Sequence, residues 1–344
     1  MITFTRFNDI EQFRNIISNM NRARLMGTDD NGEPIYERNF VKPTIKFKGT
    51  VKLHGTCSSV CNHGDDVWVQ SRERIITPES DNMGFAKFAL ERLESFTNIF
   101  NDIKSNYNVG DRVISIYGEY AGQGINNNVA INNIPKSFFI FGVSLTDTSD
   151  EIQEKEWIDF SQYRDPDNLI YNIEDYGVYE IDIDFNNPLL SQNTLVDITE
   201  KVEQECPVAK QFGHSGIGEG VCWYGYHNNK RLIFKVKGEK HSISKVKTLA
   251  SVDTEKLNSI NEFVEYSVTE NRMDQAISII FPDVSLSIEK MGDLIRWMVN
   301  DIHKEESDVL RDNNLSEKDV NKAISSRVRT LFNERLSNDA FGIK

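Results

Sequence analysis

The sequence predicts an α+β protein in which antiparallel sheets with flanking helices are followed by a smaller all-helical part. Two observations carry this. From Thr44 the apolar residues recur with period two in short runs separated by turn residues, and this continues to Lys237. After about residue 248 the period becomes helical and stays so to the end. The expected domains are therefore residues 1–248 and residues 249–344.

Taken in order, Ile10, Phe13, Ile16, Ile17 and Met20 are spaced for one helical face, which predicts an amphipathic helix over residues 9–26, broken by Asp29-Asp30-Asn31-Gly32. Ile45, Phe47 and Gly49 then alternate with Lys46 and Lys48, and beyond the Gly64-Asp65-Asp66 turn Val67-Trp68-Val69-Gln70-Ser71 reads as the returning strand. Residues 82–104 place Phe85, Phe88, Ala89, Arg92, Leu93, Phe96, Ile99, Phe100 and Ile103 at helical spacing, so one long helix is expected to cover a sheet face. Strands follow at Arg112–Glu119, Ser137–Leu145, Val178–Ile183, Gly220–Tyr226 and Arg231–Lys237, with His227-Asn228-Asn229 turning between the last two. The helical part is expected at Leu257–Val268, Arg272–Ile280, Ser287–Lys304 and Glu317–Leu336, the last opened by the capping pattern Ser316 to Asp319.

Composition narrows the function classes. A chain of 344 residues with 39% hydrophobic residues has enough apolar material for two cores. No apolar run approaches the roughly 18 residues of a membrane span, and Met1-Ile2-Thr3-Phe4-Thr5-Arg6 lacks the features of a signal peptide, so a soluble, cytoplasmic monomer is expected. The net charge of -14 excludes a protein that coats nucleic acid nonspecifically. Positive charge is nevertheless concentrated in two segments: Lys42, Lys46, Lys48 and Lys52, and then Lys230, Arg231, Lys235, Lys237, Lys240, Lys245 and Lys247 against Glu239 alone. In an acidic chain this suggests a focused anion site, the plainer reading being solvated strand faces. Cys57, Cys61, Cys206 and Cys222 form no C-x-x-C pair, so reduced thiols are expected. Cys57, Cys61 and His63 lack a fourth zinc ligand and read as ordinary strand residues.

Four segments carry chemistry together. In Lys52-Leu53-His54-Gly55-Thr56 a lysine ends a strand and a glycine lets backbone approach a ligand, although such a lysine alone is usually just solvated. Ser115-Ile116-Tyr117-Gly118-Glu119-Tyr120-Ala121-Gly122-Gln123-Gly124-Ile125 runs an apolar strand into a carboxylate and a glycine loop, suited to a ribose or a metal. Glu219-Gly220-Val221-Cys222-Trp223 opens a second apolar strand with a carboxylate. In Phe234-Lys235-Val236-Lys237 the lysines share one face, about 7 Å apart, and the apolar pair takes the other.

These segments, in this order, resemble the RNA ligase 2 family of ATP-dependent RNA ligases, members of the covalent nucleotidyltransferases, over residues 50 to about 240. The histidine in K-x-H-G-T separates such ligases from the K-x-D-G of DNA ligases and most capping guanylyltransferases. The resemblance implies a nucleotidyltransferase domain that uses ATP and Mg²⁺, with Mn²⁺ as an alternative. Its substrate would be RNA with 5′-phosphate and 3′-hydroxyl ends, as a nicked duplex or a broken structured RNA.

By the same resemblance Lys52 is the nucleophile that carries AMP and His54 helps its adenylation. Arg72 touches the AMP phosphate or ribose, with Arg74 as substitute, Glu119 binds the ribose, and Phe141 stacks on adenine. Glu219 serves the metal and phosphate, and Lys235 and Lys237 bind the triphosphate. Chemistry at neutral pH then requires the Lys52 pKa to fall, with Lys235, Lys237 and the metal expected to lower it. Two positions depart from the pattern: Cys57 stands where the family has Asn, and Tyr224 where it often has Lys. A capping guanylyltransferase, a DNA ligase and a degenerate ligase fold that only binds RNA or nucleotide stay open as alternatives.

Overall fold

The computed structural model describes residues 2–22, 25–28, 34–36, 41–126, 128–148, 153–238, 260–281, 286–312, 315 and 317–340. Lys240, Lys245 and Lys247, the Asp29-Asp30-Asn31-Gly32 break, the Ser316 cap and the residue 248 boundary lie outside these residues. The chain divides into two compact units. One comprises Met1–Ile10, Thr44–Asp184 and Asp197–Lys235, and the other Glu11–Pro43, Phe185–Val196 and Val236–Lys344.

The first unit contains two sheets. Its strands are β1 (Thr44–Lys52), β2 (Thr56–His63), β3 (Asp66–Ser71), β4 (Ile75–Ile76), β5 (Val113–Ala121), β6 (Ser137–Thr146), β7 (Lys155–Ile158), β8 (Ile170–Asn172), β9 (Tyr179–Asp184), β10 (Gly220–His227) and β11 (Lys230–Lys237). One sheet runs in the order β11-β10-β1-β9. The other runs β7-β6-β5-β2-β3-β4, and β8 joins β6 in a parallel pair. The remaining registered pairs are antiparallel, so the α+β class with antiparallel sheets, flanking helices and a helical C-terminal region holds.

The alternation read from the sequence decides which side of the first sheet is core. Ile45, Phe47 and Val51 of β1, Val221 and Trp223 of β10, and Phe234 and Val236 of β11 are buried. Phe47 meets Phe234 edge-on at 5.2 Å, and Phe234 lies in a parallel stack with Trp223 at 6.3 Å. Their neighbours along each strand point to the opposite face. Because β1 belongs to one sheet and β2 to the other, Leu53-His54-Gly55 is the crossing between the sheets, with Lys52 at its edge.

The helix expected over residues 82–104 is two helices, Phe85–Leu90 and Leu93–Asn106. Arg92 leaves the helical conformation, and its guanidinium explains why. It lies 4.0 Å over the Phe88 ring, donates from Nη1 to the Phe88 carbonyl at 3.1 Å, and reaches Asn168 O through Nε at 2.7 Å. Both helices still cover the second sheet, where Phe85 and Phe96 pack on Phe138 at 5.1 and 5.8 Å. The amphipathic N-terminal helix is shorter than expected, Phe13–Arg22.

The second unit is held by an apolar helical cluster that includes Phe263, Met273, Leu294, Met298, Ile302, Val320, Ile324, Val328 and Phe332. Its helices are Ile260–Ser267, Glu270–Ile280, Met291–Glu305, Ser307–Asp312 and Glu317–Ala340. A buried ion network sits inside it. Arg272 pairs with Asp301 at 2.9 Å and Glu306 at 3.2 Å, and Arg14 of the N-terminal helix reaches Glu306 at 2.6 Å. Breaking such a network at one member leaves a charge without its partner in a low-dielectric interior, a loss of about 3–5 kcal/mol. Among the described residues no helix is long and apolar enough to cross a membrane.

Candidate active site

Lys52 ends β1 directly beside the start of β10. The register pairs Lys52 with Gly220, and so brings Glu219, 167 residues away in sequence, against the lysine amine. Lys52 Nζ donates to Glu219 Oε2 at 2.6 Å, and His54 Nδ1 lies 3.2 Å from the same oxygen. Glu219 is only 3% exposed. Burial by itself would lower the lysine pKa, but Glu219, with Cys222 and Glu119 adding, outweighs it and holds the amine above the ordinary lysine range. The expected fall in the Lys52 pKa belongs to the site with metal and triphosphate bound, and the lysine starts from above its ordinary range. With that carboxylate 2.6 Å from the amine, the resting lysine is a protonated ion-pair partner.

Glu119 approaches from the second sheet. It lies on β5 opposite Cys57 of β2, and its Oε1 accepts the Gly55 N–H at 3.0 Å. Gly55 is there because nothing larger fits: a Cβ would stand 2.4 Å from the Tyr120 carbonyl and 2.9 Å from Glu119 Cγ. Asn126, from the glycine loop after β5, donates to Gly55 O at 3.1 Å and fastens the same crossing. Burial pushes the Glu119 carboxyl up to about 7. Lys52 pulls it down, Glu219 pushes it further up, and the Gly55 N–H and Arg72 pull down again.

That shift has a readable consequence. A carboxyl with a raised pKa binds its proton more tightly in the folded state, so its contribution to stability is full below the ordinary carboxylate pKa and is lost as pH rises toward about 7. Glu119→Gln removes the titration. Urea unfolding at successive pH values is expected to show the parent protein losing about 3 kcal/mol across this window relative to the variant. Parallel profiles for the two proteins would mean that Glu119 titrates alike in the folded and unfolded states.

A pocket with about 70 Å³ of room opens beside Lys52 and Glu119 and is lined by Phe139, Phe141, Ile173, Cys222, Arg231 and Ile233 among others. Phe141 owes its position to a bulge. The β5–β6 register skips from Tyr117 opposite Gly142 to Gly118 opposite Ile140, leaving Phe141 as the extra residue. Its ring packs edge-on against Phe7 at 5.0 Å.

The other sequence-derived candidates fall as follows. Arg72 forms an ion pair with Asp9 at 2.8 Å and is close enough to Glu119 and Cys57 to bias both ionisations. Arg74 donates to the Ser80 carbonyl at 2.8 Å and serves the loop there. Lys235 is half-buried and stands near Cys222, whose thiol is pushed up to about 11 by burial while Lys52 and Lys235 pull it down. Lys237 lies two residues further along β11, also half-buried. Cys57, where the resembling family has Asn, stays a thiol, pushed up to about 12 by burial and Glu119. Tyr224, the other departure, donates its hydroxyl to Glu174, which also lies 3.8 Å from Lys48 Nζ. Cys61 Sγ lies 3.5 Å from both Thr5 Oγ1 and Ser115 Oγ, and His63 pairs with Asp111 at 2.8 Å, so these two side chains serve the fold.

Three contributors were not singled out as site residues. Phe7 supports Phe141, and Asp9 holds Arg72; neither belongs to a motif, and no signal in the sequence marks them. Arg231 was counted only as part of a basic cluster, although the alternation that puts Lys235 on the pocket face puts Arg231 there too.

The family model described as RNA ligase matches residues 45–237, which include Lys52, Glu119, Glu219 and Lys235. The chain belongs to the RNA ligase family. Among solved structures it is similar to a Naegleria gruberi RNA ligase mutant with ATP and Mn, at 15% identity and TM-score 0.43, covering 70% of this chain and 58% of that one. It is likewise similar to the Naegleria gruberi RNA ligase with PPi, at 16% identity and TM-score 0.40, covering 69% of this chain and 57% of that one. The chain thus spans somewhat more than half the length of these relatives. No curated protein matches it.

Proposed function

We propose that this chain is an ATP-dependent RNA ligase of the RNA ligase 2 type that joins RNA 3′-hydroxyl and 5′-phosphate ends in RNA repair through AMP carried on Lys52. The observation that carries the proposal is the Lys52–Glu219 pair at 2.6 Å, with Lys52 lining a pocket that has an aromatic wall, in a chain of the RNA ligase family.

The amine must lose a proton to attack, so Glu219 has to be drawn from Lys52 or neutralised. A divalent cation suits that role. Among the described residues no three His, Cys, Asp or Glu side chains stand close enough to hold a metal by themselves. Glu219 fits Mg²⁺ or Mn²⁺, ions that take one or two carboxylates and complete their shell with water and substrate phosphates. Held by Glu219, such an ion would supply positive charge toward the phosphate oxygens, and Glu219 would then be shared between it and Lys52.

Lys52 Nζ, once deprotonated, attacks the α-phosphorus of ATP. A P–N bond forms, the P–O bond to the β-phosphate breaks, and pyrophosphate leaves. His54, on the shared Glu219 oxygen, keeps that carboxylate oriented, and Lys235 and Lys237 balance the charge of the triphosphate. Arg72 changes partner from Asp9 to phosphate or ribose, Glu119 holds the ribose, and Phe141 stacks on adenine. The 5′-phosphate of RNA next takes AMP from Lys52, and the 3′-hydroxyl then displaces AMP to close the strand. Residues 1–248 act as the adenylyltransferase domain, and the helical residues 249–344 grip the RNA.

Incubation with α-labelled ATP and Mg²⁺ or Mn²⁺ is expected to give an acid-labile protein–AMP adduct that is consumed when nicked duplex RNA is added. Labelling by GTP instead would favour a capping guanylyltransferase, and transfer only to nicked DNA a DNA ligase. Nucleotide binding without an adduct would favour the degenerate, binding-only fold.

A further inference from the structure

Arg231 lines the same pocket as Lys52. It is 8% exposed, and its guanidinium is held on several sides. Nη2 donates to the carbonyl of the bulged Phe141 at 3.0 Å, and Cζ lies 4.5 Å from the Trp157 ring centroid and 4.5 Å from that of Tyr224. Gly142 leaves room for it, since a Cβ there would stand 2.5 Å from Nη1. Yet Nε and Nη1 have no acceptor among the described residues. A guanidinium does not shed its proton to escape burial, so each unmatched N–H group is unfavourable unless a ligand or water supplies the acceptor.

The sheet indicates which ligand that is. Thr50 and Lys48 share the Lys52 face of β1, and they pair with Cys222 and Tyr224 of β10. The two-residue turn at Asn228–Asn229, both at positive φ, sets Tyr224 opposite Ile233 and Cys222 opposite Lys235 on β11. Down this face Thr50, Cys222 and Lys235 therefore follow Lys52, and Lys48, Tyr224 and Ile233 follow them. Lys48 is turned to Glu174, 3.8 Å away, and the Arg231 guanidinium lies over the Tyr224 ring. The four residues from Lys52 to Lys48 cover about 13 Å. That is comparable to the length of a nucleoside monophosphate, with phosphate at the lysines and base between Phe141 and Ile233.

We propose that Arg231 reads the base. From Nε and Nη1 it donates to a ring-nitrogen acceptor on the purine edge that points away from the phosphate. A guanidinium has donors only, so it accepts a ring nitrogen at that point and rejects an amino group or a ring N–H. The inference rests on the reading that this pocket takes the ATP nucleoside.

The test is equilibrium binding of ATP and of 1-deaza-, 3-deaza- and 7-deaza-ATP to the full chain and to Arg231→Met. One deaza analogue is expected to bind the parent about 10- to 100-fold more weakly than ATP, and to bind the variant within about twofold of ATP, because only the parent has the donor to lose. Arg231→Met should fold at least as well as the parent, since an apolar side chain replaces a buried charge with unmatched donors. Equal binding of ATP and all three analogues by the parent overturns the proposal. So does a folded Arg231→Met protein that keeps the parent's affinity for ATP. Should the variant not fold, the analogue series on the parent decides alone. Failure of the parent to bind ATP at all is seen in the first titration and overturns the nucleotide reading with it.

Discussion

Lys52→Ala is expected to abolish the covalent adduct with α-labelled ATP, with no residual labelling above background. Lys52 lines the pocket, and the proposed chemistry forms a bond to its Nζ, so its loss is not a matter of degree. Lys52→Arg should fail equally, because the guanidinium keeps its charge and offers no free electron pair. Neither substitution should unfold the protein. Lys52 is half-buried at its strand end, and Glu219 retains the His54 ring at 3.2 Å. Pre-adenylated RNA enters after the lysine step, so Lys52→Ala protein should still seal it. A variant that remains labelled at full strength would move the nucleophile elsewhere. A variant that loses both labelling and the sealing of pre-adenylated RNA while folded would give Lys52 a role in the final step as well.

Much of the sheet architecture was legible because its determinants are local. The alternation of Phe234, Lys235, Val236 and Lys237 separates core from pocket without knowledge of any partner strand, and the structure buries Phe234 and Val236 accordingly. Other elements had no such signal. Lys155–Ile158 and Ile170–Asn172 are short edge strands, held by pairing with β6 more than by their own pattern. Gln192–Gln204 is a helix whose apolar residues are too sparse to announce it. The break at Arg92 depends on the Asn168 carbonyl, 76 residues away, which no periodicity reports.

The candidate site follows the same division. Residue types and order pointed to Lys52, Glu119, Glu219 and Lys235, but the electrostatic state of the lysine could not be read from them. The sign of its pKa shift depends on a carboxylate 167 residues distant arriving at 2.6 Å before any metal or phosphate arrives to oppose it. Phe141 is a similar case. Its position reflects a bulge set by the register of β5 on β6, and a sequence shows residues rather than register.

Lys235 provides the test of the electrostatic argument independent of the family. It is half-buried on β11, close enough to Cys222 to pull the thiol pKa down, and shares the face that ends at Lys52. In the proposed reaction negative charge spreads over the α-phosphate oxygens and the departing pyrophosphate. A fixed cation there is worth more in the transition state than in the ground state. Lys235→Ala is therefore expected to slow adenylation of Lys52 by about two to three orders of magnitude, the equivalent of roughly 3–4 kcal/mol, by analogy with the removal of one preorganised oxyanion donor. The same substitution at Lys237, two residues along the strand, should act in the same direction. Arg at either position restores charge but not the compact ammonium geometry, and should recover only part of the rate. The measurement is single-turnover labelling at saturating ATP, which separates the chemical step from nucleotide binding. Near-normal rates in both folded alanine variants would reduce the two lysines to a solvated strand face and remove the electrostatic basis of the proposed site.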